Sequence, residues 1–202
     1  MPIWITRVIK TVGSNVRSPR FWLLALRDSA IFAVLMFAVA SYLQRDMQTG
    51  TAPPINASLV KGDLIKSSLV NNHFINNDKV SLFNTAARAN KATLVYFWGT
   101  WCPVCKVTSP MVNNVANAQD YPVISVAVAS GSNADIDAFM QHNDYQFAVI
   151  NQNINGNDYS QQWGATALPA IYIVDSNNQI RFVTSGVTSS WGMSLRLWFA
   201  SL

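Results

Sequence analysis

The sequence predicts an α/β domain with a mixed central sheet flanked by helices and an N-terminal strand extension, preceded by a single transmembrane helix. Three observations support this class. Residues 21–43 are almost entirely apolar. Residues 92–98 and 123–129 are apolar runs typical of buried parallel strands. Between and after them, apolar residues recur at helical spacing. Half of the 202 residues are hydrophobic, which excludes general disorder and suffices for one domain of about 100–150 residues.

The apolar run at 21–43 is broken only by Arg27 and Asp28, and it exceeds the roughly 20 residues that a spanning helix needs. We therefore predict a signal-anchor helix here. One alternative is a buried core helix of a soluble protein. Another is a cleaved leader, since Ala38 to Ala40 before Ser41 resembles a signal-peptidase site.

The charge distribution predicts the topology. Residues 1–27 hold five Lys or Arg residues, and the other nine basic residues of the chain are balanced by nine aspartates. The positive-inside rule then places the N-terminus in the bacterial cytoplasm and the domain in the periplasm. The predicted parts are a basic segment at 1–20, an inner-membrane helix at 21–43, a polar linker at 44–57 and a periplasmic domain at 58–202. The balanced domain shows no basic patch, so we predict no nucleic-acid partner.

Within the domain, apolar runs at 64–65, 68–70 and 80–82 predict short strands or a hairpin. From residue 91 onward we predict the order β-α-β-α-β-α-β-β-α. The predicted strands are 92–98, 123–129, 147–150, 170–174 and 180–183. The predicted helices are 103–119, a helix capped by Ser132 or Asn133, 157–163 and a helix opened by Ser189 or Ser190. Residues 175–178 predict a hairpin turn. The helix at 103–119 carries Val104, Val107, Met111 and Val115 on one apolar face, and the last helix carries Trp191, Leu195, Trp198 and Leu202.

The candidate chemistry is a pair of cysteines, Cys102 and Cys105, where a buried strand gives way to a helix. Unpaired N–H groups at a helix N-terminus favour a thiolate, so Cys102 is expected to be the more exposed and more acidic thiol. Cys105 lies one turn on, within reach of a mixed disulfide. Pro103 suits the first helical turn, where its missing N–H costs nothing.

Other roles are open to the two cysteines. A structural disulfide would close a loop of about four residues and contribute only about 2 kcal/mol. A zinc site would need two more strong ligands, and the chain offers His73 and His142, far apart in sequence. Two incidental core cysteines would not need a strand-to-helix junction. A copper-binding module is the alternative function, since thiolates suit Cu(I) and Met111 is nearby.

The segment Trp98 to Lys106 (WGTWCPVCK), with Pro110 following, resembles the thioredoxin superfamily. Within it the chain is similar to membrane-anchored TlpA-like protein disulfide oxidoreductases, and among these to the suppressor of copper sensitivity protein D type. The resemblance is strengthened by Ala167 to Ala170 (ALPA) just before a strand, where the family has a cis-proline loop.

The resemblance implies a thioredoxin fold, with Cys102 as the attacking and Cys105 as the resolving thiol. It implies that Trp101, Leu168 and Pro169 bind substrate, with Pro169 as the cis-proline. The alternatives are a packing role for Trp101 and an ordinary trans proline that opens a strand at Pro169. Exported cysteine-containing proteins would be the partners, a transmembrane thiol carrier the reductant, and no bound cofactor would be needed. Thioredoxins carry an aspartate where this chain has Tyr96, and members serving cytochrome c maturation carry a glutamate where it has Ala170. These departures argue against cytochrome c maturation.

Overall fold

The computed structural model describes residues 19–44, 47–57, 59–61, 80–81, 91–154 and 158–202. The chain divides into two compact units, Met1–Leu43 and Gln44–Leu202. The helix predicted at 21–43 is present as α1, Pro19–Gln44. Among the described residues, however, no helix combines the length and the apolar character that crossing a membrane requires.

The second unit is an α/β domain, in agreement with the predicted class. Its described elements are β1 (Gly50–Thr51), β2 (Asn56–Ala57), β3 (Leu59–Lys61), β4 (Val80–Ser81), β5 (Thr93–Trp98), α2 (Pro103–Ala118), β6 (Val123–Ala127), α3 (Asn133–His142), β7 (Ala148–Asn151), α4 (Tyr159–Gln162), β8 (Ala170–Val174), β9 (Gln179–Ser185) and α5 (Ser190–Ala200). From β5 onward, the predicted order β-α-β-α-β-α-β-β-α is confirmed.

Seven of the described strands form one mixed sheet in the order β1-β9-β8-β5-β6-β7-β3, and β2 pairs with β4. Strands β5, β6 and β7 are parallel, whereas β8 runs antiparallel to β5 and β9. The turn predicted at 175–178 joins β8 to β9. Its Asp175 carboxylate accepts hydrogen bonds at 2.9 Å from the N–H groups of Asn177 and Gln179, which fixes the hairpin.

The segment predicted as a linker, 44–57, belongs to the folded domain from Met47 onward. Strand β1 pairs with β9 at the edge of the sheet. Met47, Ala52 and Ile55 are buried in the core. The segment is polar on average, but these few apolar side chains suffice to attach it. The strands predicted at 64–65 and 68–70 lie outside the described residues.

The sheet has a hydrophobic cluster on each face, because side chains alternate along a strand. On β5, Leu94, Tyr96 and Trp98 join one cluster, together with side chains of α2 and α5. Val95 and Phe97 join the other cluster. Both cysteines belong to the first cluster, so we call it the cysteine-side core.

The buried faces of α2 and α5 differ from the predicted ones. On α2 the buried residues are Cys105, Thr108, Ser109, Val112 and Val115, whereas Val104 and Val107 are exposed. Thr108 can be buried because its hydroxyl donates to the carbonyl of Val104. On α5 the buried residues are Met193, Leu197 and Ala200, whereas Trp191, Leu195, Trp198 and Leu202 are exposed. Both helices carry more than one apolar stripe, and the spacing of the apolar residues does not show which stripe is buried.

Candidate active site

The site begins where β5 ends at Trp98 and the chain turns into α2. The N–H of Cys102 donates to the carbonyl of Gly99 at 3.1 Å, which closes this turn. Cys102 is the N-cap residue of α2, with an extended backbone, and Pro103 is the first helical residue. The strand-to-helix junction predicted for the cysteine pair is therefore present.

Cys102 and Cys105 form a disulfide, with their Cα atoms 5.2 Å apart. The backbone N–H of Cys105 donates to Sγ of Cys102 at 3.1 Å. This contact places Cys102 Sγ at the positive end of the helix dipole, which favours a thiolate after reduction. The side chains are 3% and 1% exposed, so the two cysteines differ little in exposure, contrary to the expectation for Cys102.

The loop before β8 reaches the same end of the sheet. The Leu168–Pro169 peptide bond is cis, the isomer that the resemblance implies. The next residue, Ala170, pairs with Phe97 near the end of β5, one residue before the strand gives way to the cysteine turn. Leu168 is half-buried and packs against the cysteine-side core. The substrate-binding role of Leu168 and Pro169 stays a prediction.

Trp101 is 58% exposed beside the disulfide, and its position is fixed by two neighbouring segments. Its indole Nε1 donates to the carbonyl of Val128 at 3.2 Å. The ring lies against Gly99, where an added Cβ would meet Nε1 at 2.7 Å. The hydroxyl of Ser130 accepts from the N–H of Thr100 at 3.1 Å and donates to Val128 at 3.0 Å. The loop after β6 thus supports the turn that carries Trp101.

Two residues of the site were not identified from the sequence as parts of it. The phenol oxygen of Tyr96 lies within hydrogen-bonding distance of two groups, 2.9 Å from Oγ of Ser109 and 3.4 Å from the carbonyl oxygen of Cys105. Both side chains are buried. Burial raises the pKa of Tyr96 well above its ordinary value, so the phenol stays neutral. The sequence carries one signal for this contact. Tyr96 lies in a strand predicted to be buried, and the hydroxyl of a buried tyrosine needs a hydrogen-bond partner.

A metal-binding arrangement was the alternative considered for this site. In the ranges that the structure describes, no three residues of the His, Cys, Asp and Glu types lie together in a way that could hold a metal ion. Met111, the extra ligand considered for copper, is partly buried against the cysteine-side core.

The mixed sheet and the disulfide at a strand-to-helix junction define a thioredoxin-like protein. The family model described as Redoxin matches residues 61–191, and the chain belongs to this family. A thioredoxin-like protein from Haemophilus influenzae is 41% identical over 111 residues, which are 55% of this chain and 64% of that protein. A thiol:disulfide interchange protein DsbE homolog from Paracoccus denitrificans is 28% identical over 102 residues, 50% of this chain and 55% of that protein. The chain thus matches about 55–64% of the length of these relatives.

Solved structures of low sequence identity share the fold. A thiol:disulfide interchange protein of the thioredoxin family from Chlorobium tepidum superposes with a TM-score of 0.58 at 18% identity, covering 77% of this chain and 98% of that one. A secreted disulfide oxidoreductase from Mycobacterium tuberculosis superposes with a TM-score of 0.53 at 18% identity, covering 72% of this chain and 95% of that one. These likenesses establish the thioredoxin fold of the domain.

Proposed function

We propose that the chain is a thiol–disulfide oxidoreductase that exchanges disulfides with exported, cysteine-containing proteins. The observation that carries this proposal is the hydrogen bond from the N–H of Cys105 to Sγ of Cys102 at the start of α2. A sulfur held there gains thiolate character after reduction, and the second cysteine is already in bonding position. The interchange function in the name of the Paracoccus denitrificans relative supports the same activity.

The proposed reaction has two exchanges. The Cys102 thiolate attacks a partner disulfide, and one partner sulfur leaves and takes up a proton from water. Cys105 then attacks Sγ of Cys102, so that the Cys102–Cys105 bond forms and the second partner sulfur leaves with the proton that Cys105 gave up. The partner is reduced and the domain is oxidised. We assign partner binding to the exposed indole of Trp101 and to the loop at Leu168 and Pro169.

Trapping of partners tests this assignment directly. Cys105→Ser should accumulate mixed disulfides with cysteine-containing proteins, because attack proceeds and resolution does not. Cys102→Ser is the matched control and should accumulate few. Insulin reduction by the wild type should be lost in both variants. Equal trapping by the two variants would contradict the roles, and no insulin reduction by the wild type would contradict the function.

We further propose the reducing direction, with a transmembrane thiol carrier as electron source. A strongly oxidising disulfide needs extra stabilisation of its reduced form. Pro103 and Val104, between the cysteines, add neither a charge nor a histidine. Equilibration with glutathione measures the potential, and a value in the range of strong oxidants would contradict the proposed direction.

Export of the domain is proposed from the five basic residues at 1–27. An alkaline phosphatase fusion after residue 60 should be active, because this reporter folds only outside the cytoplasm. A fusion lacking residues 1–43 is the control and should be inactive. Recovery of the active fusion with membranes or in soluble form distinguishes an anchor at 21–43 from cleavage after Ala40. An inactive full-length fusion would contradict export.

The assignment to the suppressor of copper sensitivity protein D type is proposed from the sequence resemblance alone. Copper-sensitive growth of a deletion strain, restored by the wild type and not by Cys102→Ser, would support it. Unchanged copper tolerance of the deletion strain would contradict this subtype while leaving the exchange activity unaffected.

A further inference from the structure

Two buried hydroxyl groups lie beneath the resolving cysteine. Tyr96 projects from the central strand β5, and its phenol contacts Oγ of Ser109 and the carbonyl oxygen of Cys105. Ser109 is one helical turn after Cys105, on the same face of α2. All three side chains are at most 1% exposed. Cys105 is therefore almost completely buried, and the phenol of Tyr96 contacts its backbone carbonyl.

The described part of the chain places no buried carboxylate next to Cys105. Among the described residues, the buried side chains include one carboxylate, that of Asp175. Asp175 follows β8 at the end opposite Pro169, roughly 17 Å along the strand from the cysteine turn. A negative charge that develops on buried Cys105 sulfur is costly unless hydrogen-bond donors compensate it. The hydroxyls of Tyr96 and Ser109 are the neutral donors that the structure places at the backbone of the same residue.

The number of hydroxyl hydrogens limits how Tyr96, Ser109 and the Cys105 carbonyl can be hydrogen-bonded. The phenol has one hydrogen, which it gives either to the Cys105 carbonyl or to Oγ of Ser109. In the first case the phenol dipole points directly at the Cys105 turn. In the second case the hydroxyl hydrogen of Ser109 can rotate toward the carbonyl of Cys105, four residues earlier in α2. Either arrangement places a neutral donor against this turn.

We propose that Tyr96 is a positioning residue for the resolving step: with Ser109, it holds neutral hydroxyl donors against the Cys105 turn and stabilises the charge that develops on Cys105 Sγ. This inference rests on the proposed oxidoreductase function. Since the phenol stays protonated, it acts as a donor and does not take up the Cys105 proton. In the step itself, Cys105 gives its proton to water, attacks Sγ of Cys102 and expels the partner sulfur, which is protonated in turn.

The test separates the two exchanges in the full chain. The reduced protein is mixed with an aromatic disulfide whose thiolate product is coloured, so that attack by Cys102 and resolution by Cys105 each release one coloured thiolate. Tyr96→Phe should slow the second phase about three- to tenfold at neutral pH and move its pH midpoint upward by about half to one unit. The first phase should be unchanged. Ser109→Ala should shift the second phase in the same direction.

Tyr172→Phe is the matched control. Its phenol is also buried and donates to the carbonyl of Trp163 at 2.6 Å, but it lies in the other core cluster. This variant should leave both phases unchanged. If the second phase of Tyr96→Phe has the same pH midpoint as that of the wild type, the inference is overturned and Tyr96 is only a packing group. Absence of the first phase in the wild type would instead contradict the oxidoreductase function.

Discussion

The N–H of Cys105 donates to Sγ of Cys102 at 3.1 Å, so an amide in the first turn of α2 is directed at the first cysteine of the pair. Among the residues that the structure describes, no backbone amide donates to Sγ of Cys105, which lies inside the first turn of α2. Because both cysteines are almost completely buried, this contact and not exposure distinguishes them. Acidity should therefore be the main chemical difference between the two thiols.

We expect reduced Cys102 to be alkylated well before Cys105 at pH 6. The helix N-terminus lowers the pKa of Cys102 below the ordinary thiol value of about 8.5, whereas an apolar environment raises the pKa of a buried thiol. Peptide mapping after timed alkylation measures each rate, and Cys102→Ser and Cys105→Ser isolate each thiol. Faster modification of Cys105 would contradict this assignment.

A second prediction concerns the contact between Gly99 and Trp101. Gly99→Ala adds a Cβ that meets the indole Nε1 at 2.7 Å, so the ring must leave the Val128 carbonyl. Because Trp101 is largely exposed, it can move outward, and the free energy of unfolding should change by only about 1 kcal/mol or less. Capture of partner disulfides should fall roughly fivefold, as expected when an aromatic anchor is displaced.

A double-mutant cycle checks the cause of that loss. In Trp101→Ala, addition of Gly99→Ala should have no further effect on capture, because the ring that it displaces is absent. Additive losses would mean that Gly99 acts on the turn itself. Unchanged capture in Gly99→Ala would show that the ring position does not matter for partner binding.

The capping box of α3 gives a prediction about pH. The Asp135 carboxylate accepts hydrogen bonds from the hydroxyl of Ser132 at 2.7 Å and from its N–H at 2.8 Å, and these lower the pKa of Asp135 below its ordinary value of 3.8. Since the folded-state pKa is depressed, the stabilisation is present above pH 3.8 and is lost as the pH falls through the folded-state pKa. Asp135→Asn should thus lower Tm at pH 7, and the difference from the wild type should shrink in acid.

Thermal unfolding between pH 7 and pH 3 measures this difference. Asp137→Asn is a control on the same helix, because it removes one carboxylate without touching Ser132. A difference between wild type and Asp135→Asn that is as large at pH 3 as at pH 7 would contradict the role of the charge.

Local signals were sufficient for much of the architecture. The order of elements along the chain from β5 onward, the turn at Asp175 and the cysteines at the start of α2 were predicted correctly, because each depends on neighbouring residues. The edge strand at Gly50 was missed for two reasons. A strand of two residues is too short to show an alternating pattern, and its partner β9 is more than 120 residues away in the sequence. The Tyr96–Ser109 contact was missed for a similar reason. It joins two elements, and neither contains a signal that identifies the other.

The buried faces of α2 and α5 were also predicted incorrectly. The residue pattern of α5 fits two stripes, one through Leu195 and one through Leu197. Packing of α5 against α2 and β8 selects the stripe of Leu197, and this selection depends on tertiary contacts that hydrophobic spacing does not contain.

The last prediction compares these two leucines. Leu197 is fully buried in the cysteine-side core, whereas Leu195 is 46% exposed. Leu197→Ala should lower the free energy of unfolding by about 2–5 kcal/mol, because it removes buried methyl groups and leaves a cavity. Leu195→Ala should change it by about 0.5 kcal/mol or less. Both changes replace leucine by alanine within one helix, so their effects on helix propensity are similar and the difference measures burial. Urea unfolding, with the slope compared between variants, gives both values. A larger loss for Leu195→Ala would mean that the stripe of Trp191, Leu195 and Trp198 faces the core, as the sequence pattern alone indicated.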